Sequence, residues 1–140
     1  MADYSITATS VKVGTDTGTR RVQYGEAVSH GQPVYLNTTD NKWYLADANT
    51  SVTTAGDDGI AIALTPGATD GYGEVVVSGT YFAGITLTEG DVVVLSATSG
   101  ALAPVADLTG GMNVTIIGVA GANNDIVTIL KASGQTVPGT

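Results

Sequence analysis

The sequence predicts an all-β fold: a single compact β-barrel or sandwich with a pseudo-twofold internal repeat and an extended N-terminal arm. Three observations lead there. The first is a repeat. The stretch from Gly25 to Ala63 returns 59 positions later as Gly84 to Ala122. Gly25 falls on Gly84, Gly31 on Gly90, Val34 on Val93, Leu36 on Leu95 and Thr39 on Thr98; Gly59, Ala61 and Ala63 fall on Gly118, Ala120 and Ala122. A fixed period of this kind is the trace of one supersecondary unit used twice, and two copies are too few for a solenoid. The second is composition. Thr, Val and Ala dominate, 19 of 140 residues are Gly, and only 13% are charged. β-branched residues suit a pleated, half-buried surface, and Gly supplies turns. The third is spacing: about ten short apolar runs follow one another closely between turn residues, and no window keeps a helical period over three turns.

The elements follow in order. Residues 1–20 form the arm and 21–140 the β domain. Ser5 to Val13 alternates loosely and reads as extended, without a core pattern; Gly14 to Thr19 is polar and turn-prone. An extended arm of this kind can add to a neighbour's sheet edge. Arg20-Arg21 opens the body; it reads either as a solvated strand end, since surface pairs are common and weak, or, in so acidic a chain, as a pair that meets carboxylates on its own domain or on a partner. Val34 and Leu36 point one way and Tyr35 the other. Thr38 to Asn41 turns the chain and Trp43 to Ala46 returns it as a hairpin, repeated by Val92–Leu95 and Ala101–Pro104. Asp47 to Ala55 is the one place for a single helical turn, capped by Asp47 or Asn49. Gly56 to Gly59 is a tight turn before the strand Ile60–Leu64. Glu74 to Gly79 is a strand buried on both faces, and Thr80 to Ala83 links it to the second copy. Met112–Ala120 and Asp125–Leu130 are the last pair, turning at Gly121–Asn124, and Ser133 to Thr140 is a loose tail.

Charge narrows the partners. The net charge is −8 with five Lys and Arg in all, so neither nucleic acid nor an anionic membrane is an expected partner. No cysteine is present, so there is neither a disulfide framework nor a thiolate site. No apolar run reaches 18 residues, and the N-terminus has no basic or apolar region of a signal peptide, so synthesis in the cytoplasm is expected. The low share of charge suggests surface hidden against copies of the chain or another protein.

Reactive groupings are not visible. His30 is the single histidine and nothing marks a nucleophile or orienting acid beside it. Asp57, Asp58, Asp70, Glu89, Asp91 and Asp107 sit in turns without the regular spacing of a calcium loop. A glycosidase pair among Asp57, Asp58, Glu89 and Asp91 would be flanked by sugar-stacking aromatics, and there is one Trp. No glycine-rich phosphate cradle occurs. The expectation is no enzyme, no cofactor and no metal. A carbohydrate-binding β module is the alternative, with Trp43, Tyr44, Tyr81 and Phe82 as the aromatics available to a binding platform.

Two stretches carry a resemblance. Ile6-Thr7-Ala8 with Val11, then Gly25-Glu26-Ala27-Val28, Gly31-Gln32-Pro33-Val34-Tyr35-Leu36 and Lys42-Trp43-Tyr44-Leu45-Ala46-Asp47-Ala48, are similar to the small capsid cement, or head decoration, proteins of tailed bacteriophages. So are Gly90-Asp91, Val93, Leu95-Ser96, Gly100, Leu102-Ala103-Pro104, Asp107-Leu108 and Ile117 to Ala120. The likeness covers Ile6 to about Leu130, and its motifs are structural. It implies a β-rich homotrimer on the outer surface of the virion head, at threefold and quasi-threefold sites, that binds the major capsid protein and stabilises the expanded shell. It also implies an N-terminal arm that orders on the shell. The arm candidate is Ala2 to Val13; with the Arg pair, the candidate contact residues are Tyr4, Ile6, Thr7, Val11, Val13, Arg20 and Arg21. The Arg pair is not a mark of the family. Removing Met1 to Val13 is expected to leave a folded protein that no longer binds heads.

Overall fold

The structure is a computed structural model that describes residues 3–51, 53–121 and 125–136. It is all-β. Among the described residues ten strands run in chain order as β1 (Val11–Val13), β2 (Gly18–Gln23), β3 (Pro33–Asn37), β4 (Lys42–Leu45), β5 (Ile60–Ala63), β6 (Tyr72–Ala83), β7 (Val92–Leu95), β8 (Leu102–Pro104), β9 (Asn113–Ala120) and β10 (Asp125–Thr136). Among the described residues helix is limited to single 3-10 turns at Ala8–Ser10 and Val105–Asp107. The strands form two antiparallel sheets that share β6. One sheet orders β2-β6-β5-β3-β4, the other β1-β6-β10-β9-β7-β8. Neither closes into a barrel, although Gly25 N–H donates to Trp43 O at 2.8 Å and brings the end of β2 against β4.

The two copies fold alike. In the first hairpin Val34 faces Leu45 and Leu36 faces Trp43; in the second Val93 faces Pro104 and Leu95 faces Leu102, each pair displaced by 59 residues. Asn41 and Gly100, also 59 apart, take the left-handed turn position with φ of 59° and 76°. Beyond the hairpins the repeat slips. Gly31 N–H donates to Ala63 O and Ala63 N–H to Gln32 O; their counterparts are Gly90 N–H to Ala120 O and Ala120 N–H to Asp91 O. Ala63 therefore matches Ala120, not Ala122, and Gly118 takes the place of Ala61. A slip of two keeps every side chain on its face, so the Gly-x-Ala-x-Ala pattern aligned by sequence at either register.

The core divides with the sheets. The larger cluster holds Ile60, Ile62, Val76, Tyr81, Val93, Leu95, Leu102, Ile117 and Ile126; the smaller holds Val22, Tyr24, Val28, Val34, Trp43, Ala61 and Val75. Neighbouring Val75 and Val76 enter different clusters, so β6 is buried on both faces there, whereas Val77 is exposed at 36%.

Several expectations change. Among the described residues of 46–58 there is no helix: Asp47 Oδ1 accepts the N–H groups of Asn49 and Thr50 in a turn, and Thr115 Oγ1–H and Asn113 Nδ2–H bond to Ala55 O and Ala48 O, holding this connection on the second copy. Thr80 to Ala83 is strand rather than link. β10 continues to Thr136, so the tail expected from Ser133 begins as strand. Part of the expected turn at Gly121–Asn124, the last residues of the tail, Met1 and Ala2 lie outside the described residues.

Candidate interaction surface

The chain from Val11 to Gln23 runs along one side of β6. β1 pairs Val11 with Ala83 and Val13 with Tyr81; β2 pairs Thr19 with Val76 and Arg21 with Glu74. Residues 14–17 bulge out between the two strands and are tied to Thr80. The Asp16 carboxylate accepts from both the N–H and the hydroxyl of Thr80, the Thr17 hydroxyl donates to Thr80 O, and Gly14 N–H donates to Thr17 Oγ1 at 2.6 Å. Those donors hold the Asp16 carboxyl below the usual carboxylate range. The bulge sits where β6 passes from one sheet to the other, at Gly79 with φ of +80°; a Cβ there would lie 2.1 Å from Asp16 O.

The seven expected contact residues separate into two groups. Tyr4, Ile6 and Val11 turn inward, and Thr7 anchors the same segment. Tyr4 N–H donates to Leu102 O at 2.8 Å and Thr7 N–H to Gly84 O at 2.7 Å. Tyr4 and Ile6 pack on the larger core, and Val11 is 8% exposed. Burial, helped by the charges of Asp91 and Asp107, pushes the Tyr4 phenol pKa up. Ile6 and Val11 fill the space over Gly31, where a Cβ would lie 2.7 Å and 2.9 Å from them. The segment read as a separate arm thus lies on the chain's own body, and the expected boundary between residues 20 and 21 falls inside β2. The physical reason is apolar area: Tyr4 and Ile6 pack on the larger core, and Ile6 and Val11 cover the open space at Gly31.

Val13, Arg20 and Arg21 turn outward, Val13 at 52% exposure. Among the described residues neither Arg meets a carboxylate within 4.0 Å, which leaves the solvated strand end or a partner's carboxylates. The Arg21 guanidinium lies 5.5 Å from the Tyr72 ring instead, and Lys12 Nζ lies 4.9 Å from the Phe82 ring. Exposed Tyr72 was not singled out by sequence, because only the β2–β6 pairing brings it beside Arg21. Among the described residues β1 and β2 pair with β6 alone. Tyr24 N–H bonds to Gly71 O, so ladder alternation turns the backbone N–H and C=O of Thr19 and Arg21 to the open side.

The other candidates are structural in their contacts. Asp91 Oδ2 accepts Thr88 N–H at 2.9 Å, as Gln32 Oε1 accepts Ser29 N–H at 2.8 Å in the first copy. Asp70 pairs with Lys42 Nζ at 2.7 Å. Asp57, Asp58 and Glu89 are exposed in turns, and His30 is half-buried in another. Among the described residues no three His, Cys, Asp or Glu side chains gather as a metal site. A cleft of about 300 Å³ contains Asp3, Ser96 and Asp107; Ser96 Oγ–H donates to Asp3 Oδ1 at 2.5 Å and no histidine lines it. Of the four aromatics considered for a glycan platform, Trp43 and Tyr81 are core. Tyr44 lies over Gly25 and donates to Asp40 Oδ2 at 2.5 Å. Comparisons with known protein families, curated proteins and solved structures find no match to this chain.

Proposed function

We propose that the chain is a capsid decoration protein: a structural, non-enzymatic component that binds the outer surface of a phage head as a trimer at threefold and quasi-threefold sites and stabilises the expanded shell. The observation that carries this reading is where the residues of the family resemblance fall. Gly31, Val34, Leu36 and Trp43, with Gly90, Val93, Leu95 and Leu102, build the turn-and-hairpin frame of the two copies. They form a frame for presenting a surface, and the surface that would touch the shell is the side carrying Val13, Arg20 and Arg21. Tyr4, Ile6, Thr7 and Val11 hold that side in place.

The physics asked of such a protein is modest. A ligand that binds only the expanded shell stabilises it by mass action. Contacts repeated by three protomers add through avidity, so each can be weak. An acidic outer layer keeps decorated particles apart.

The test is co-sedimentation with expanded, undecorated heads assembled from the major capsid protein encoded beside this chain. Saturable binding that raises the heads' resistance to heat is expected. A well-folded protein that leaves the heads bare would overturn the reading.

A further inference from the structure

We propose that the open edge of β2 receives an added strand from the shell subunit, and that this strand carries carboxylates on both of its faces. The inference rests on the decoration reading and specifies the contact it would use. Adjacent strand residues project to opposite faces, so Arg20 and Arg21 straddle the sheet. A partner lying on either face can reach only one of them. A strand added in the plane of the sheet, against the outward N–H and C=O of Thr19 and Arg21, passes between the two guanidinium groups and can offer a carboxylate to each.

Charge selects the chemistry of that strand. Lys12, Arg20 and Arg21 are three of the chain's five cations and all lie on β1 and β2, whereas the whole chain carries −8. Among the described residues Arg20 and Arg21 are not spent on internal carboxylates, while Lys42 is. Arg is suited to paired, bidentate recognition of a carboxylate. From Thr19 a groove of about 350 Å³ runs inward over the face of β6, lined by Lys12, Val13, Thr19, Leu64, Thr65 and Glu74. It holds one charge of each sign, so the selection for carboxylates rests on the Arg pair. Edge strands left unpaired are templates for strand addition, and here the positive charge excludes a second basic or like-charged edge while admitting an acidic one.

The experiment is head binding by wild type, Arg20→Glu, Arg21→Glu and the double variant. Thr98→Glu/Ser99→Glu, on the remote β7–β8 turn, serves as the control for added negative charge. Folding is checked by thermal unfolding, and Arg20→Gln and Arg21→Gln replace any reversal that lowers the midpoint. Each single reversal is expected to weaken binding roughly tenfold, and the control to leave it unchanged. Raising ionic strength from about 0.05 M to about 0.5 M should weaken wild type more than the double variant. Wild-type binding matched by both single variants overturns the edge and leaves the decoration reading standing. So does loss in Arg21→Glu alone, which marks docking on one face, and so does a shift in self-association by sedimentation velocity without loss of head binding, which marks a second copy as the occupant. Failure of wild type itself to bind heads takes both readings down.

Discussion

Trp43 sits between the two ends of its own hairpin and the strand that follows. It is 5% exposed, packs in the smaller core with Val22, Val34 and Val75, and approaches Gly59, where a Cβ would lie 3.4 Å from the ring. Trp43→Ala is therefore expected to cost about 3–5 kcal/mol, read from the shift in a urea unfolding midpoint. Tyr24, in the same cluster, has a polar tip: its hydroxyl donates to Thr65 O at 2.8 Å, while burial pushes its pKa up to about 12. The unfolded phenol titrates near 10. A raised folded pKa favours the neutral form, so this stability is complete below pH about 10 and is lost as pH rises toward about 12. Stability measured by denaturant across that window should fall in wild type and fall less steeply in Tyr24→Phe. At this scale the sequence was partly readable. Asn41 in a left-handed turn follows from its short polar side chain. That Trp43 is buried did not follow, since an isolated aromatic beside Lys42 and Tyr44 fits a surface as well as a core.

β6 shows what local pattern cannot supply. The run Glu74 to Gly79 reads as one strand ended by its glycine. In the fold Gly79 is instead the point where a 12-residue strand changes sheets. The glycine is needed because the 14–17 bulge presses on the backbone there, and nothing local announces a contact between residues more than sixty positions apart. The N-terminal segment was hidden for a similar reason. Tyr4, Ile6 and Val11 are spaced by two and five residues, which fits neither a strand nor a helix period, yet Tyr4 and Ile6 from irregular chain and Val11 from β1 all turn inward. Removing Met1 to Val13 would uncover the gaps at Gly31 and Gly84 and the β6 edge at Tyr81 to Ala83. The expected loss is about 2–4 kcal/mol, seen as a lower thermal midpoint. The two-residue slip between copies belongs here as well: alternation fixes which face a residue takes, and hydrogen bonds such as Gly90 N–H to Ala120 O fix which neighbour it meets.

For the whole molecule, fold class was legible because repetition, β-branched composition and turn spacing all favour strands, and these agree with one another. The surface was less so. Cations at positions 12, 20 and 21 come to one side of the molecule only because β1 and β2 pair with successive parts of the same strand. That strand has a mechanical consequence. Twelve residues at roughly 3.3 Å each give β6 a contour length of about 40 Å, turning at Gly79 from one sheet into the other and spanning both halves of the protein. It is gripped along one side by β2 and then β1, and along the other by β5 and then β10. A tensile load drawing the two halves apart acts along β6, so its flanking ladders are sheared with many hydrogen bonds loaded together rather than unzipped one by one. The molecule should behave as a stiff strut along that axis and yield far more easily to a force that peels β4 or β8 from a sheet edge.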